Sequence, residues 1–315
     1  MKTQLRKQVE ISAFGNALHE WLSGEVTGHL GAYMYTDDHD DNRWKNGHSA
    51  AAYYYGRDEK ASLSLVLNDL GVVVDNLLDL GPGGEASVLS KSLPLMRALK
   101  AKNYYPVDLS PTFANEALAT MKKEVDVGGD IIITDFFDYI PCKKTNALVA
   151  IMGGTIGNLE TYTEPHKLQN RLSRIFSSYR NAVDGNSYFL VSIDANNNGE
   201  EIVACYDNPE FGRLIRSCIE RVIDTSGFDY HVAWTPENFQ LATGLRANRD
   251  QIITLDGEQY AIEKGEFLPV INSYRFPVDF VKEAATQAGW HYQRAWSASG
   301  RVHYLLFKSG MPRCV

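Results

Sequence analysis

The feature that most constrains the fold is a short apolar run that stops at a glycine cluster. Leu77-Leu78-Asp79-Leu80 leads straight into Gly81-Pro82-Gly83-Gly84, and a helix-compatible stretch, residues 86–99, follows. Such a run closed by glycines reads as a buried strand, here residues 72–80, feeding a tight turn. The alternation then repeats. Residues 103–108 read as a second strand and 110–125 as a second helix, with Ser110 as its cap and Pro111 in its first turn. Residues 130–135, 147–152 and 188–194 read as three further strands, and residues 168–183 as a helix before the last of them. Strands alternating with helices predict an α/β fold, a parallel sheet covered on both faces.

The flanks have a different texture. Residues 1–70 read as mainly helical, with a polar interruption at 36–42 and a helix over 58–70. Residues 200–223 read as one helix, and 228–276 as short antiparallel strands. The clearest hairpin in that stretch pairs residues 251–255 with 259–262 across Asp256-Gly257. A helix over 278–288 and a strand over 302–307 resume the first pattern. The expected division is therefore 1–70, 71–194, 195–276 and 277–315, with the third segment inserted into the domain formed by the second and fourth. Sheets of this kind bind ligands beyond the carboxyl ends of their strands. Asp79, Asp108, Asp135 and Asp194 close apolar runs, and Asn158 lies in the loop after one, so all five are expected along one rim.

Charge narrows the ligand. The 315 residues carry 31 basic and 39 acidic side chains, a formal net charge of −8, with no dense Lys/Arg stripe. Such a surface repels nucleic-acid phosphates, so a small molecule is the expected partner. The polar first eight residues do not resemble a signal peptide, and no stretch reaches the roughly 18 apolar residues of a membrane span. Cys142, Cys205, Cys218 and Cys314 are scattered without a Cys-x-x-Cys pair, which fits reduced thiols in a cytoplasmic protein. His39, His48 and the acidic run Asp37-Asp38/Asp40-Asp41 have no metal-ligand spacing, and no metal is expected.

Gly81-Pro82-Gly83-Gly84-Glu85-Ala86 fits Gly-x-Gly-x-x-Ala, a turn shared by nicotinamide, flavin and S-adenosylmethionine folds. Without side chains, the turn lets backbone N–H groups approach a ligand closely. Asp108, at the end of the next strand, can accept from ribose hydroxyls. Asp135-Phe136, at the end of the third, can accept from an adenine amino group beside an aromatic ring. Carboxylates at three consecutive strand ends favour a nucleoside carrying a cationic sulfonium and oppose a diphosphate. S-adenosylmethionine leads among the cofactors.

Met152-Gly153-Gly154-Thr155-Ile156-Gly157-Asn158-Leu159 resembles the signature of the histidine-specific N-methyltransferases of ergothioneine biosynthesis. Fungal enzymes that N-methylate tryptophan or dimethylallyltryptophan belong to the same superfamily. Four more segments match in order. Tyr54-Tyr55-Gly56-Arg57 resembles the family's paired-aromatic segment, and Tyr105 to Ser110 its second strand. Ala204-Cys205-Tyr206-Asp207 resembles its Ala-Ala-Tyr-Asp motif, and residues 271–276 its Glu-Ile-Ser-x-Lys-Phe motif. Residues 43–52 look more like the fungal tryptophan branch.

The resemblance implies a Rossmann-like class I methyltransferase domain, with a substrate domain made from the N-terminal helices and the insertion. It implies transfer of methyl groups to the α-nitrogen of an amino acid or a derived amine. Carried over by position, Asn158 holds the amine, Tyr55 and Tyr206 grip the carboxylate, and Ile271 and Ser273 face the side chain. Gly81, Gly83, Asp108, Asp135 and Phe136 hold the cofactor. The family's late-motif glutamate, which reads the imidazole of histidine, is Ile271 here, so an apolar or aromatic side chain is expected instead. Its paired-aromatic proline is Gly56. No His or Glu falls within the matched motifs as a general base; alignment by Asn158 and the tyrosines carries the expected mechanism. Transfer to oxygen or carbon, a non-catalytic S-adenosylmethionine-binding module and a nicotinamide-dependent reductase remain alternatives.

Overall fold

The computed structural model describes residues 15–23, 30, 54–137, 145–162, 164–220 and 222–310. The polar stretch 36–42, the segment 43–52, Cys142 and Cys314 lie outside the described residues. The helices are α1 (15–23), α2 (Tyr54–Asp69), α3 (85–99), α4 (Pro111–Glu124), α5 (Pro165–Ala182), α6 (Gly199–Tyr206), α7 (Pro209–Ile219) and α8 (Val278–Gln287). The strands are β1 (Asn76–Leu80), β2 (Asn103–Asp108), β3 (Ile132–Ile133), β4 (Ala147–Ile151), β5 (Tyr188–Asp194) and β6 (Phe228–Thr235), then β7 (Gln240–Ala247), β8 (Gln251–Leu255), β9 (Glu258–Ile262), β10 (Phe267–Tyr274), β11 (Trp290–Trp296) and β12 (Val302–Ser309). The chain divides into two units. The first comprises Met1–Tyr54, Asn158–Thr163 and Asn197–Tyr274; the second comprises Tyr55–Gly157, Glu164–Asn196 and Arg275–Val315.

The second unit is built on a seven-stranded sheet in the order β11-β12-β5-β4-β1-β2-β3. β1 to β5 run parallel, while β12 is antiparallel to β5 and β11 antiparallel to β12. This is a Rossmann-like α/β sheet whose strand order reverses between β1 and β4, the position where such sheets open a ligand crevice. β4 is buried along its whole length, as its unbroken Ala147-Leu148-Val149-Ala150-Ile151 run requires. One face packs Leu77, Leu148 and Leu190 against Val88, Met96 and Leu99 of α3 and Leu63 and Val66 of α2. The other carries edge-to-face aromatic contacts of Phe189 with Phe176, Tyr179 and Trp290.

In the first unit, β10-β7-β6 form an antiparallel sheet and β8-β9 a hairpin. Leu18 and Trp21 of α1, Phe211, Leu214 and Ile215 of α7, and Leu245 and Val270 of the sheet share one core. The hairpin turns through Asp256 (φ 50°) and Gly257 (φ 89°), the positive-φ pair that the Asp-Gly signal implies.

Several expected boundaries shift for physical reasons. The first strand begins at Asn76 rather than 72, and Val73 is 83% exposed. The third shrinks to Ile132–Ile133 because it is an edge strand paired only with β2. The helix expected over 200–223 breaks in two: Asn208 accepts from the N–H groups of Glu210 and Phe211, and Pro209 starts a new first turn. Within α3 a π turn occupies Val88–Ser92. β11, at the sheet edge, was not anticipated. Ser110 caps α4 as expected, accepting from Phe113 N–H at 3.3 Å.

Candidate active site

Within the sheet unit the chain turns sharply after β1 because Gly81 (φ 65°) and Gly83 (φ 69°) adopt left-handed backbone. The turn is tied to β2 by the Gly81 N–H to Val107 carbonyl bond, 2.8 Å. A Cβ on Gly81 would lie 3.3 Å from both the Phe136 ring and Thr155 Cγ2. The glycine turn, Phe136 and the loop after β4 therefore meet at the reversal point of the sheet. Phe136 is held by its carbonyl, which accepts from the Tyr179 hydroxyl at 2.7 Å, and by its ring, 4.7 Å from that of Phe137.

Asp108 ends β2, and one of its carboxylate oxygens accepts from the Ser110 N–H at 2.9 Å. Asp135 follows β3 and accepts from the Phe137 N–H, also at 2.9 Å. These local turns fix both carboxylates at the ends of paired strands. Leu109 and Ile133 beside them are exposed apolar residues, 51% and 42%.

Glu116, which sequence reasoning passed over, adds a carboxylate to the turn. Its Oε1 accepts from the Glu85 N–H at 3.1 Å, and its Oε2 lies 3.3 Å from where a Gly84 Cβ would be. The start of α3, where a dinucleotide fold would seat a pyrophosphate, is thus capped by a carboxylate from α4. With Asp108, Asp135 and Glu85 nearby in sequence and fold, the residues present fit a cationic nucleoside and oppose a diphosphate.

Two carboxylates expected on the rim are engaged inside the unit instead. Asp79 is buried and accepts from the Tyr104 hydroxyl at 2.8 Å. Asp194 forms a buried ion pair with Arg275, Oδ2 to Nε 2.9 Å, a contact too poorly aligned to be a hydrogen bond. That pair joins the points where the chain leaves the sheet unit, after Asn196, and re-enters it, at Arg275.

Tyr55 lies one helical turn before Glu59 on α2, and its hydroxyl is 3.0 Å from Ser192 Oγ and 3.5 Å from Glu59 Oε1. Its ring lies 3.1 Å from a Cβ position on Gly154. Burial, and next the Glu59 charge, push the Tyr55 and Tyr304 phenols well above their ordinary range, so both remain donors. Glu59 was the second site-adjacent group missed. Nothing in its sequence context distinguishes it from a solvated helix residue except its i,i+4 relation to Tyr55.

The remaining expected residues belong to the other unit. Asn158 opens the segment 158–163 there. That segment hangs on β10: the Tyr274 hydroxyl donates to the Glu160 carbonyl (2.9 Å) and accepts from the Tyr162 N–H (2.8 Å), and Asn272 donates to Thr161 Oγ1 (2.7 Å). Ile271 and Ser273 occupy the alternate positions of β10 and so its opposite face. Tyr206, the last residue of α6, and Ile271 both pack at the edge of the same apolar core. The Tyr206 ring lies 4.8 Å from that of Phe211, and its carbonyl accepts from the Tyr230 hydroxyl at 2.7 Å. The structure thus brings Tyr206 and Ile271 to one core and hangs the Asn158 segment from the other face of the same strand. Among the described residues no group of His, Cys, Asp and Glu is gathered to hold a metal ion, and no helix is long and apolar enough to cross a membrane.

The sequence is similar to N-methyltransferase benX of Aspergillus terreus, 24% identical over 255 residues that span 70% of this chain and 68% of that protein. Among solved structures, the fold is similar to the CcbJ methyltransferase of Streptomyces caelestis (12% identity, TM-score 0.47, 84% of this chain and 98% of that one). It is also similar to an S-adenosylmethionine-dependent methyltransferase of Clostridium acetobutylicum (12%, TM-score 0.45, 85% and 98%). The family model described as histidine-specific methyltransferase, SAM-dependent, matches residues 22–308, and the chain belongs to that family of S-adenosylmethionine-dependent methyltransferases.

Proposed function

We propose that this enzyme transfers methyl groups to the amine nitrogen of a small amino acid or an amine derived from one, with an apolar or aromatic side chain rather than the imidazole of histidine. The observation that carries the reading is the carboxylate-rich glycine turn, with Glu116 on the start of α3 and Asp108 and Asp135 at neighbouring strand ends. It favours a cationic nucleoside. Membership of the methyltransferase family and the likeness to a protein described as an N-methyltransferase support nitrogen as the acceptor.

In this reading Gly81 and Gly83 admit the cofactor to the backbone, Asp108 takes the ribose, and Asp135 and Phe136 take the adenine. S-adenosylmethionine supplies a methyl group already activated by its sulfonium. The protein's own task is then alignment of a neutral amine. An α-amine has a pKa near ~8, so the acceptor must lose a proton before it reacts. Asn158 presents an amide oxygen that can accept from the amine and fix its lone pair. Tyr206 grips the carboxylate. Tyr55 is assigned to the carboxylate as well; its hydroxyl lies 3.0 Å from Ser192 Oγ. Ile271 replaces a charged reader of the side chain with an apolar surface, which accounts for the preference against histidine.

The test is a labelled-methyl screen over the common amino acids and related amines, with fragmentation mass spectrometry to locate the added group. Nitrogen methylation of an apolar or aromatic amino acid is the expected result; a label on oxygen or carbon overturns the acceptor assignment. In Asn158→Ala, S-adenosylmethionine binding measured by calorimetry should persist while turnover falls about 100-fold. Unchanged turnover removes Asn158 from the site.

A further inference from the structure

The turn after β4 contains two successive glycines in left-handed backbone, Gly153 (φ 77°) and Gly154 (φ 70°). Such a pair is loose in isolation, yet its two N–H groups are both captured. Gly153 donates to Glu59 Oε1 at 2.5 Å, and Gly154 to Ser192 Oγ at 3.4 Å. Ser192 in turn donates to the same Glu59 oxygen at 2.8 Å. Backbone amides in a turn can form a concavity that binds anions, and here a buried carboxylate of the chain itself takes the first of them, the Gly153 N–H; Glu59 is only 5% exposed. The Tyr304 hydroxyl donates to Glu59 Oε1 at 3.3 Å, and Lys91 Nζ lies 3.6 Å from Oε2. Lys91 also closes the space over the turn, 2.9 Å from a Cβ position on Gly153. From there the chain runs through a single turn, with the Gly157 N–H bonded to the Gly154 carbonyl at 2.9 Å, directly into Asn158.

We infer that Glu59 is a positioning residue, which holds the Gly153–Gly154 turn at the end of β4 and thereby fixes where Asn158 begins. The inference rests on the reading of Asn158 as the residue that holds the amine. Donors from the backbone, Ser192 and Tyr304 occupy the lone pairs of Oε1, and Lys91 Nζ lies 3.6 Å from Oε2, so Glu59 is assigned a holding role rather than that of general base. Its effect on the reaction is exerted through the backbone.

Positioning by hydrogen bonding and action by charge make opposite demands on conservative variants. Glu59→Gln keeps the length and an acceptor oxygen but loses the charge. Glu59→Asp keeps the charge but draws the acceptor back by one methylene. The experiment follows amide hydrogen exchange across residues 153–157, S-adenosylmethionine affinity by calorimetry, and labelled-methyl turnover on the best acceptor of the amine screen. In Glu59→Ala and Glu59→Asp, exchange at 153–157 is expected to rise at least about 10-fold as the Gly153 hydrogen bond is lost. Cofactor affinity should stay within about 3-fold and kcat fall about 30-fold, with less change in KM. Glu59→Gln should restore protection and kcat to within about 3-fold of the parent. Recovery by Asp and not by Gln, or exchange unchanged in all variants, overturns the inference. If Glu59→Ala does not fold, the order of Gln and Asp decides. A parent protein that methylates no amine defeats the proposed function alone, since the exchange contrast still reports on Glu59.

Discussion

The two units solve the same problem, burying polar groups, by different means. In the sheet unit several buried groups are charged and interlocked: Asp58 takes two bonds from Arg301, Asp194 faces Arg275, and Glu59 gathers Gly153, Ser192 and Tyr304. Among the described residues of the other unit they are neutral. Gln240 donates to Asn272, Asn272 to Thr161, and Tyr274 bridges two backbone groups. Its charged contacts, such as Arg213 with Glu210, lie near the surface. A buried charge tolerates few arrangements, because losing its partner leaves a desolvated ion; a buried amide can exchange partners at modest cost. Under the proposed function, the rigid unit holds an invariant cofactor, while the adaptable one carries the residues assigned to the acceptor.

The strongest way to break this comparison is Arg275→Ala. It leaves Asp194 buried without its ion-pair partner where the chain re-enters the sheet unit, at an expected loss of about 3–5 kcal/mol. Combining it with Asp194→Asn should recover most of that loss, read as the midpoint of chemical denaturation. A loss below about 1 kcal/mol for Arg275→Ala would mean that charge burial does not distinguish the units.

The corresponding change in the other unit is Tyr274→Phe. It removes one hydroxyl and leaves the Glu160 carbonyl and Tyr162 N–H without it, for about 1–3 kcal/mol. Because the released segment begins with Asn158, turnover should fall further than S-adenosylmethionine affinity does. Equal falls in both would detach this segment from the acceptor side of the reaction.

The same contrast explains what the sequence disclosed. The cofactor half was legible because its strands are central: β1, β4 and β5 are buried along almost their whole length and carry apolar runs, and the Gly81 turn marks the exit of β1. β3 and β11 were misjudged or missed because edge strands pair on one side and tolerate polar residues, as His291, Gln293 and Arg294 show in β11. The break between α6 and α7 was written in Asn208-Pro209, a cap and first-turn pair set inside an otherwise continuous apolar pattern. Glu59 and Glu116 were invisible for another reason. A carboxylate on a helix reads as solvated, and only partners distant in sequence, Gly153 and Ser192 for one and Glu85 for the other, give these two their roles.

Asp79 sharpens the comparison with the smallest expected effect. Burial raises its pKa above the ordinary carboxylate value, opposed by the Tyr104 hydroxyl, the nearby Ser92 and the charge of Lys91. A carboxyl whose folded pKa lies above its unfolded one contributes stability that is complete below the unfolded value, near ~3.9. That contribution is lost as pH rises through the folded value. Asp79→Asn keeps an acceptor for Tyr104 and cannot ionise, so it should stabilise the fold at pH 7 to 8 by about 2 °C in Tm. The gain should vanish as pH falls towards 4, where the parent carboxyl is itself protonated. A variant less stable than the parent at pH 8 would show that the ionised carboxylate is a net contributor, and that even a single buried charge in the sheet unit is held by its partners at no cost.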